Sequence, residues 1–197
     1  MCGRAAGFNL IEMVVALGMM ALLIALGTPP LLEATARNRV RLAAGEIVGV
    51  LYEARSYALR HGAHVAVKFR TDPGGLAWSL YRDGDGDGVL NKDIESGVDP
   101  QVGPARLLAH LGRQVRAGFP PGPAPRDPGD PRRRLDRLTD PIRFNRSDLA
   151  SFDPLGGATP GSIYLTDSRS HLAVVRVLGV TGRIRVLVYD PGREAWR

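Results

Sequence analysis

The sequence predicts an α+β protein, with one long helix at its N-terminal end and a β-rich region after it. Three observations predict this. Apolar residues are concentrated in one nearly uncharged run near the start. A repeat of apolar positions at three- and four-residue steps follows that run. From Ala63 onward the repeat changes to two, the period of a strand. A length of 197 residues suits one ordinary domain with an appendage. The 24 Gly and 15 Pro are too many for an all-helical bundle. The single cysteine, Cys2, excludes a disulfide framework and a Cys-based zinc module. The net charge is +6, carried by 24 Arg and 2 Lys against 20 acidic residues.

The first element is the apolar run. Phe8 to Leu32 is 25 residues with one charge, Glu12, and Met13 to Leu32 is 20 uncharged residues. About 20 apolar residues span a hydrocarbon core. Gly18, Gly27 and the pair Pro29-Pro30 interrupt the run, which membrane helices tolerate better than soluble ones. Pro29-Pro30 is expected to bend or locally melt the helix. A secretory signal peptide would place its charges before the apolar core, and Glu12 lies inside it. A carboxylate at the edge of a membrane core costs a few kcal/mol, so its presence calls for a role.

The second element is an amphipathic helix over Glu33 to His61. Val40, Ala44, Ile47, Leu51, Ala54 and Ala58 form its narrow apolar face, and Arg and Glu occupy the other positions. Arg60 and His61 in the last turn, with Gly62 after them, make a helix stop.

Strands follow. His64 to Phe69 alternates, Thr71-Asp72-Pro73-Gly74-Gly75 is a turn, and Leu76 to Tyr81 completes a hairpin. Ser162 to Leu165, Leu172 to Leu178 and Ile184 to Tyr189 read as three more strands, with a turn at Thr181-Gly182 between the last two. Phe119 to Pro131 has six Pro in 13 residues and reads as a loop.

The stretch Gly7-Phe8-Asn9-Leu10-Ile11-Glu12 resembles the prepilin cleavage motif of type IV pilins and type II secretion pseudopilins. Two further stretches resemble the pseudopilin H and FimT-like minor pilin family. They are Ala54-Arg55-Ser56-Tyr57-Ala58-Leu59-Arg60-His61-Gly62 at the helix end and Thr181-Gly182-Arg183-Ile184-Arg185 near the C-terminus. The resemblance implies a prepilin leader over residues 1–7 and cleavage by a prepilin peptidase between Gly7 and Phe8, with N-methylation of Phe8. It implies a transmembrane assembly helix over 8–32, a stalk helix over 33–61, and a periplasmic β-rich domain over 62–197. That domain is expected to be pilin-like, two small antiparallel sheets packed on the long helix. Glu12 then becomes the fifth mature residue, whose carboxylate pairs with the Phe8 amine of a neighbouring subunit and sets the axial register. Without such pairing the two charges are costly in lipid. Arg4 before the span agrees with a cytoplasmic leader.

The implied function is that of a minor pseudopilin, a structural component of the type II secretion pseudopilus. The implied partners are the prepilin peptidase, other pilins or pseudopilins, and the inner-membrane assembly platform. The implied location is the inner membrane, single-pass. The alternative is a FimT-like minor pilin of a type IV pilus that binds DNA for uptake.

Two constellations carry further chemistry. Asp83, Asp85 and Asp87 occupy positions 1, 3 and 5 of a calcium loop, and Gly88 falls at position 6. The Val89 carbonyl and Asn91 supply positions 7 and 9. The closing carboxylate belongs at position 12, where Ile94 stands; Asp93 is one residue early and Glu95 one late. A Gly- and Asp-rich hairpin tip without an ion is the competing reading, and no other cofactor is called for. Arg183 and Arg185 alternate with Ile184, so both face one side of a strand, a row that suits phosphates. The competing reading there is a solvated face, or ion pairs to Asp190 and Glu194. Walker, Gly-x-Ser-x-Gly and His-Glu-x-x-His motifs are lacking, which points away from an enzyme and from a small-molecule substrate.

Overall fold

A computed structural model of the chain describes residues 9–72, 74–108, 114–145 and 147–197. The chain divides into two units, Met1–Ala36 and Arg37–Arg197.

Helix α1, Leu10–His61, contributes to both units. Its part in the first unit is apolar and almost wholly exposed, from Leu10 and Ile11 to Leu31 and Leu32. It is long and apolar enough to cross a membrane, with a mean hydropathy of 2.4 in a window of which nothing is buried. The expected local melting at Pro29-Pro30 does not occur, and helix runs through both residues. Two adjacent prolines remove only two N–H donors from the ladder, and the Thr28 hydroxyl donates to the Ile24 carbonyl just before them at 2.6 Å.

In the second unit α1 buries Val40, Ala44, Ile47, Leu51, Ala54 and Ala58, the expected face, together with Ala43 and Val50. Gly62 follows α1 with φ +61°, the left-handed conformation that lets the chain leave the helix.

The rest is antiparallel β-structure. Strands β1 (Val65–Asp72) and β2 (Gly75–Arg82) form the expected hairpin, in register from Val65 opposite Arg82 to Asp72 opposite Gly75. A short helix α2 (Asn91–Ser96) precedes β3 (Gln101–Leu107). Strands β4 (Arg116–Ala117), β5 (Ile142–Phe144) and β6 (Leu149–Phe152) are short. Strands β7 (Gly161–Thr166), β8 (Leu172–Leu178) and β9 (Arg183–Asp190) are the three expected near the end, and β10 (Ala195–Trp196) closes the chain. One sheet has the order β3-β2-β1-β6. The other runs β10-β9-β8-β7-β4, with β5 also paired to β7.

One core joins the two sheets to α1. Val65, Val67 and Phe69 of β1, Leu76, Trp78 and Leu80 of β2, and Ala173, Val175 and Val177 of β8 meet the buried residues of α1 there. Alternation sends the other residues of each strand to the opposite face. On the larger sheet that face carries a second cluster of Tyr164, Leu172, Val174, Leu187, Tyr189 and Trp196. Phe119, at the start of the Pro-rich stretch, and Leu135, four residues past its end, pack against it. This stretch forms no helix or strand beyond a single bridge between Arg126 and Arg134, as its prolines predict. It is held by the chain end: the Trp196 indole donates to the Arg126 carbonyl at 2.6 Å, and Glu194 takes both Arg126 and Arg134.

Candidate functional site

Three loci correspond to the expected sites. The first is the start of α1. Gly7 and Phe8 lie outside the described residues. Glu12 lies in the first turn of α1 and is exposed, beside exposed Leu10, Ile11, Met13 and Val14. An acid there complements the positive end of the helix dipole.

The second locus is the loop from β2 to α2. One oxygen from each of Asp83, Asp85 and Asp87 comes together, all within 4.8 Å of one another. The loop is organised by Asp83. Its Oδ1 accepts the N–H groups of Asp85 (3.2 Å) and Gly86 (2.7 Å), and its Oδ2 accepts that of Gly88 (3.0 Å). Burial pushes the Asp83 carboxyl up, but these three donors outweigh it and hold it below the usual carboxylate value. Asp87 is displaced upward, by partial desolvation and then by the neighbouring Asp85 carboxylate.

Asp93 stands outside this group of carboxylates. It is buried in α2, and its Oδ2 has the Lys92 ammonium 3.4 Å away without hydrogen-bond geometry. The same ammonium reaches Asp87 Oδ2 at 3.4 Å. Val89 is anchored in a small core with Ala66 and Leu149, and Asn91 opens α2 exposed to solvent. Ile94, at the position of the closing ligand, packs against that core.

Asp99 was not singled out by the sequence, and it closes the loop instead. It is 1% exposed, and its two oxygens accept the N–H groups of Gly84 and Leu90 at 3.0 Å each. No spacing rule points to it, because it is placed by the chain's return after α2. The donor set therefore suits a weak cation site of three carboxylates, completed by water and main chain.

The third locus is β9. Arg183 and Arg185 are exposed and Ile184 is buried, as the alternation predicts. Of the competing reading, the ion pairs from Arg183 and Arg185 to Asp190 and Glu194 are not made among the described residues, and the solvated face remains. Asp190 pairs with Arg197 at 3.2 Å, and Glu194 pairs with Arg134 at 2.7 Å and Arg126 at 3.0 Å. Those hydrogen bonds hold Glu194 below its usual pKa. The reason is geometric: the chain turns after Asp190, and Glu194, in that turn just before β10, reaches Arg126 of the Pro-rich stretch and Arg134 beyond it.

The helix-end motif and the β9 motif meet. Arg55 donates to the carbonyls of Thr181 at 3.2 Å and Gly182 at 3.3 Å. Gly182 has φ +57°, and a Cβ there would lie 2.4 Å from the Gly156 carbonyl oxygen. Only glycine fits this turn without a shift of the neighbouring backbone.

Comparison of the chain with protein-family models, with curated proteins and with solved structures gives no match.

Proposed function

We propose that the chain is a minor pseudopilin, a structural component of a type II secretion pseudopilus rather than a catalyst. A prepilin peptidase cuts it between Gly7 and Phe8, and its N-terminal helix inserts it into the inner membrane and then into the filament, through other pseudopilins and the assembly platform. The C-terminal domain faces the periplasm. One observation carries this reading. A Gly-Phe-x-x-x-Glu stretch leads directly into an exposed apolar helix, and that helix continues into an α+β domain with two antiparallel sheets. Intact mass with and without the peptidase tests it. The expected product begins at N-methyl-Phe8 and lacks Cys2; an unprocessed chain, or a cut beyond Leu32, overturns the assignment. Glu12→Ala is expected to insert normally but to enter filaments poorly, and normal incorporation would remove the register role.

The Asp loop is assigned a weak calcium role in the same protein. Calcium at millimolar concentration is expected to raise the melting temperature, and Asp85→Ala with Asp87→Ala to abolish the rise. No shift leaves a plain hairpin tip.

A second reading is favoured by the exposure of Arg183 and Arg185 and by the diversion of Asp190 and Glu194 to other arginines. It is a minor pilin that binds DNA. Affinity would then fall steeply with salt, and Arg183→Gln plus Arg185→Gln would lower the log–log salt slope by about 2. An unchanged slope removes this reading.

A further inference from the structure

On the outer face of the larger sheet, one row crosses four strands. Arg185 of β9 lies opposite Arg176 of β8, Arg176 opposite Ser162 of β7, and Ser162 opposite Arg143 of β5. Directly opposed residues of an antiparallel pair share a face, with Cβ atoms about 5 Å apart. Three arginines therefore stand in line. Arg143 is fully employed. It pairs with Asp136 at 3.3 Å, donates to the carbonyls of Asp140 and Arg137, and lies over the rings of Tyr164 and Phe119.

Arg176 and Arg185 are not employed. Among the described residues neither makes a hydrogen bond or an ion pair. Arg176 is half-buried, and its Nε is sealed from solvent without a hydrogen-bond partner. The Pro-rich stretch lies over it, since a Cβ on Gly129 would be 3.1 Å from Arg176 Nη2 and 3.4 Å from Nη1. Asp127, beside it, uses its Oδ1 to accept the Gly129 N–H at 2.6 Å and makes no ion pair with Arg176. Like charges directly opposite each other on a sheet destabilise it, and a partly buried charge without a partner adds to the cost. A buried polar atom without a hydrogen-bond partner calls for an explanation, and an anion bound between the two arginines supplies one.

We infer that Arg176 and Arg185 together bind a phosphate-class oxyanion, a free phosphate or a phosphate of a phosphodiester chain, beside the Gly129 turn. Two planar guanidinium groups on neighbouring strands match the oxygens of such a group, and a single negative centre converts their repulsion into attraction. With a phosphodiester chain as ligand the site rests on the DNA-binding reading above, with which it shares Arg185; with free phosphate it depends on neither reading. Arg70 is exposed near the end of β1 in the other sheet and is outside the pair, so it separates this site from general attraction of anions to the basic surface.

The test uses the full chain in an uncharged detergent, melted with added inorganic phosphate or with a short single-stranded oligonucleotide lacking terminal phosphates, ionic strength being held constant with chloride. At roughly ten times the dissociation constant, the ligand raises the melting temperature by about 3–6 °C. Arg185→Gln, at an exposed position, raises the melting temperature of the ligand-free protein and abolishes the response. Arg176→Gln abolishes the response as well, and Arg70→Gln leaves it unchanged. A response to inorganic phosphate identifies a free or terminal phosphate as the source; a response to the oligonucleotide alone identifies a phosphodiester chain. No response to either ligand, an equal response to chloride, or a response that survives Arg185→Gln overturns the inference.

Discussion

Gly62 and Gly182 form a matched pair for measuring what the turn before β9 contributes. Their φ values are +61° and +57°, so alanine suffers nearly the same backbone strain at either position. That strain is about 1–2 kcal/mol. Their surroundings differ. Nothing lies within 4 Å of a Cβ at Gly62, whereas at Gly182 the Gly156 carbonyl oxygen would be 2.4 Å away and the Arg55 guanidinium 3.2 Å away. Arg55 is a flexible side chain and can yield, but the carbonyl belongs to the backbone. The overlap must be relieved by moving one of two packed loops, at a further cost of about 1–3 kcal/mol. For a folded unit of this size, that difference corresponds to roughly 2–12 °C in melting temperature. Gly62→Ala is therefore expected to lower the melting temperature modestly, and Gly182→Ala to lower it further by that margin. The reporter is fluorescence of the full chain in uncharged detergent, since Trp78 is 1% exposed and changes environment when the β-domain opens. Equal shifts for the two variants would show that the Gly156 contact gives way freely, and the close packing of this turn would lose its energetic meaning.

Tyr164 supplies an alkaline transition. Burial pushes its phenol up to about 12, against a smaller opposing effect of the Arg143 guanidinium. The neutral form is favoured in the folded state, so its contribution is complete below about pH 10 and is lost as pH rises toward 12, by at most about 2–3 kcal/mol. Tyr164→Phe is expected to flatten the melting temperature over that interval, and a variant that falls as steeply as the parent would refute this. Asp83 works in the opposite direction. Its carboxyl lies below its usual value, so the stability it supplies is present above about pH 4 and is lost as pH falls further. Asp83→Asn is expected to weaken the acid dependence of melting, and an unchanged acid limb would show that the three N–H contacts contribute nothing net.

Local sequence pattern determined the long helix, its buried face and five of the strands. In α1 the buried face follows from three- and four-residue spacing, β1, β2, β7, β8 and β9 follow from alternating or continuously apolar runs between turn signals, and Gly62 ends the helix through a local backbone preference. The exposure of Arg183 and Arg185 follows from the same alternation. Strand β3 escaped because Gly103 and Pro104 interrupt its pattern and most of its residues are exposed. Strands β4, β5, β6 and β10 have two to four residues each, too few to display a period. The Pro-rich stretch was legible as a loop, but its place as the roof of a second core was not. That placement depends on Tyr164, Val174 and Leu187 from three different strands, and on Glu194 and Trp196 at the chain end.

The same limit governs the sites. Asp83, Asp85 and Asp87 converge because alternate residues of one tight loop can turn inward together, which spacing reveals. Asp99 reaches that loop only after the chain has passed through α2 and returned. Arg176 and Arg185 are nine positions apart, and neither carries a motif that names the other. Only the register of β8 on β9, set by which faces are buried and by the length of the intervening turn, places their charges side by side. Local spacing is written in the chain, whereas contact between distant segments is decided when the core closes.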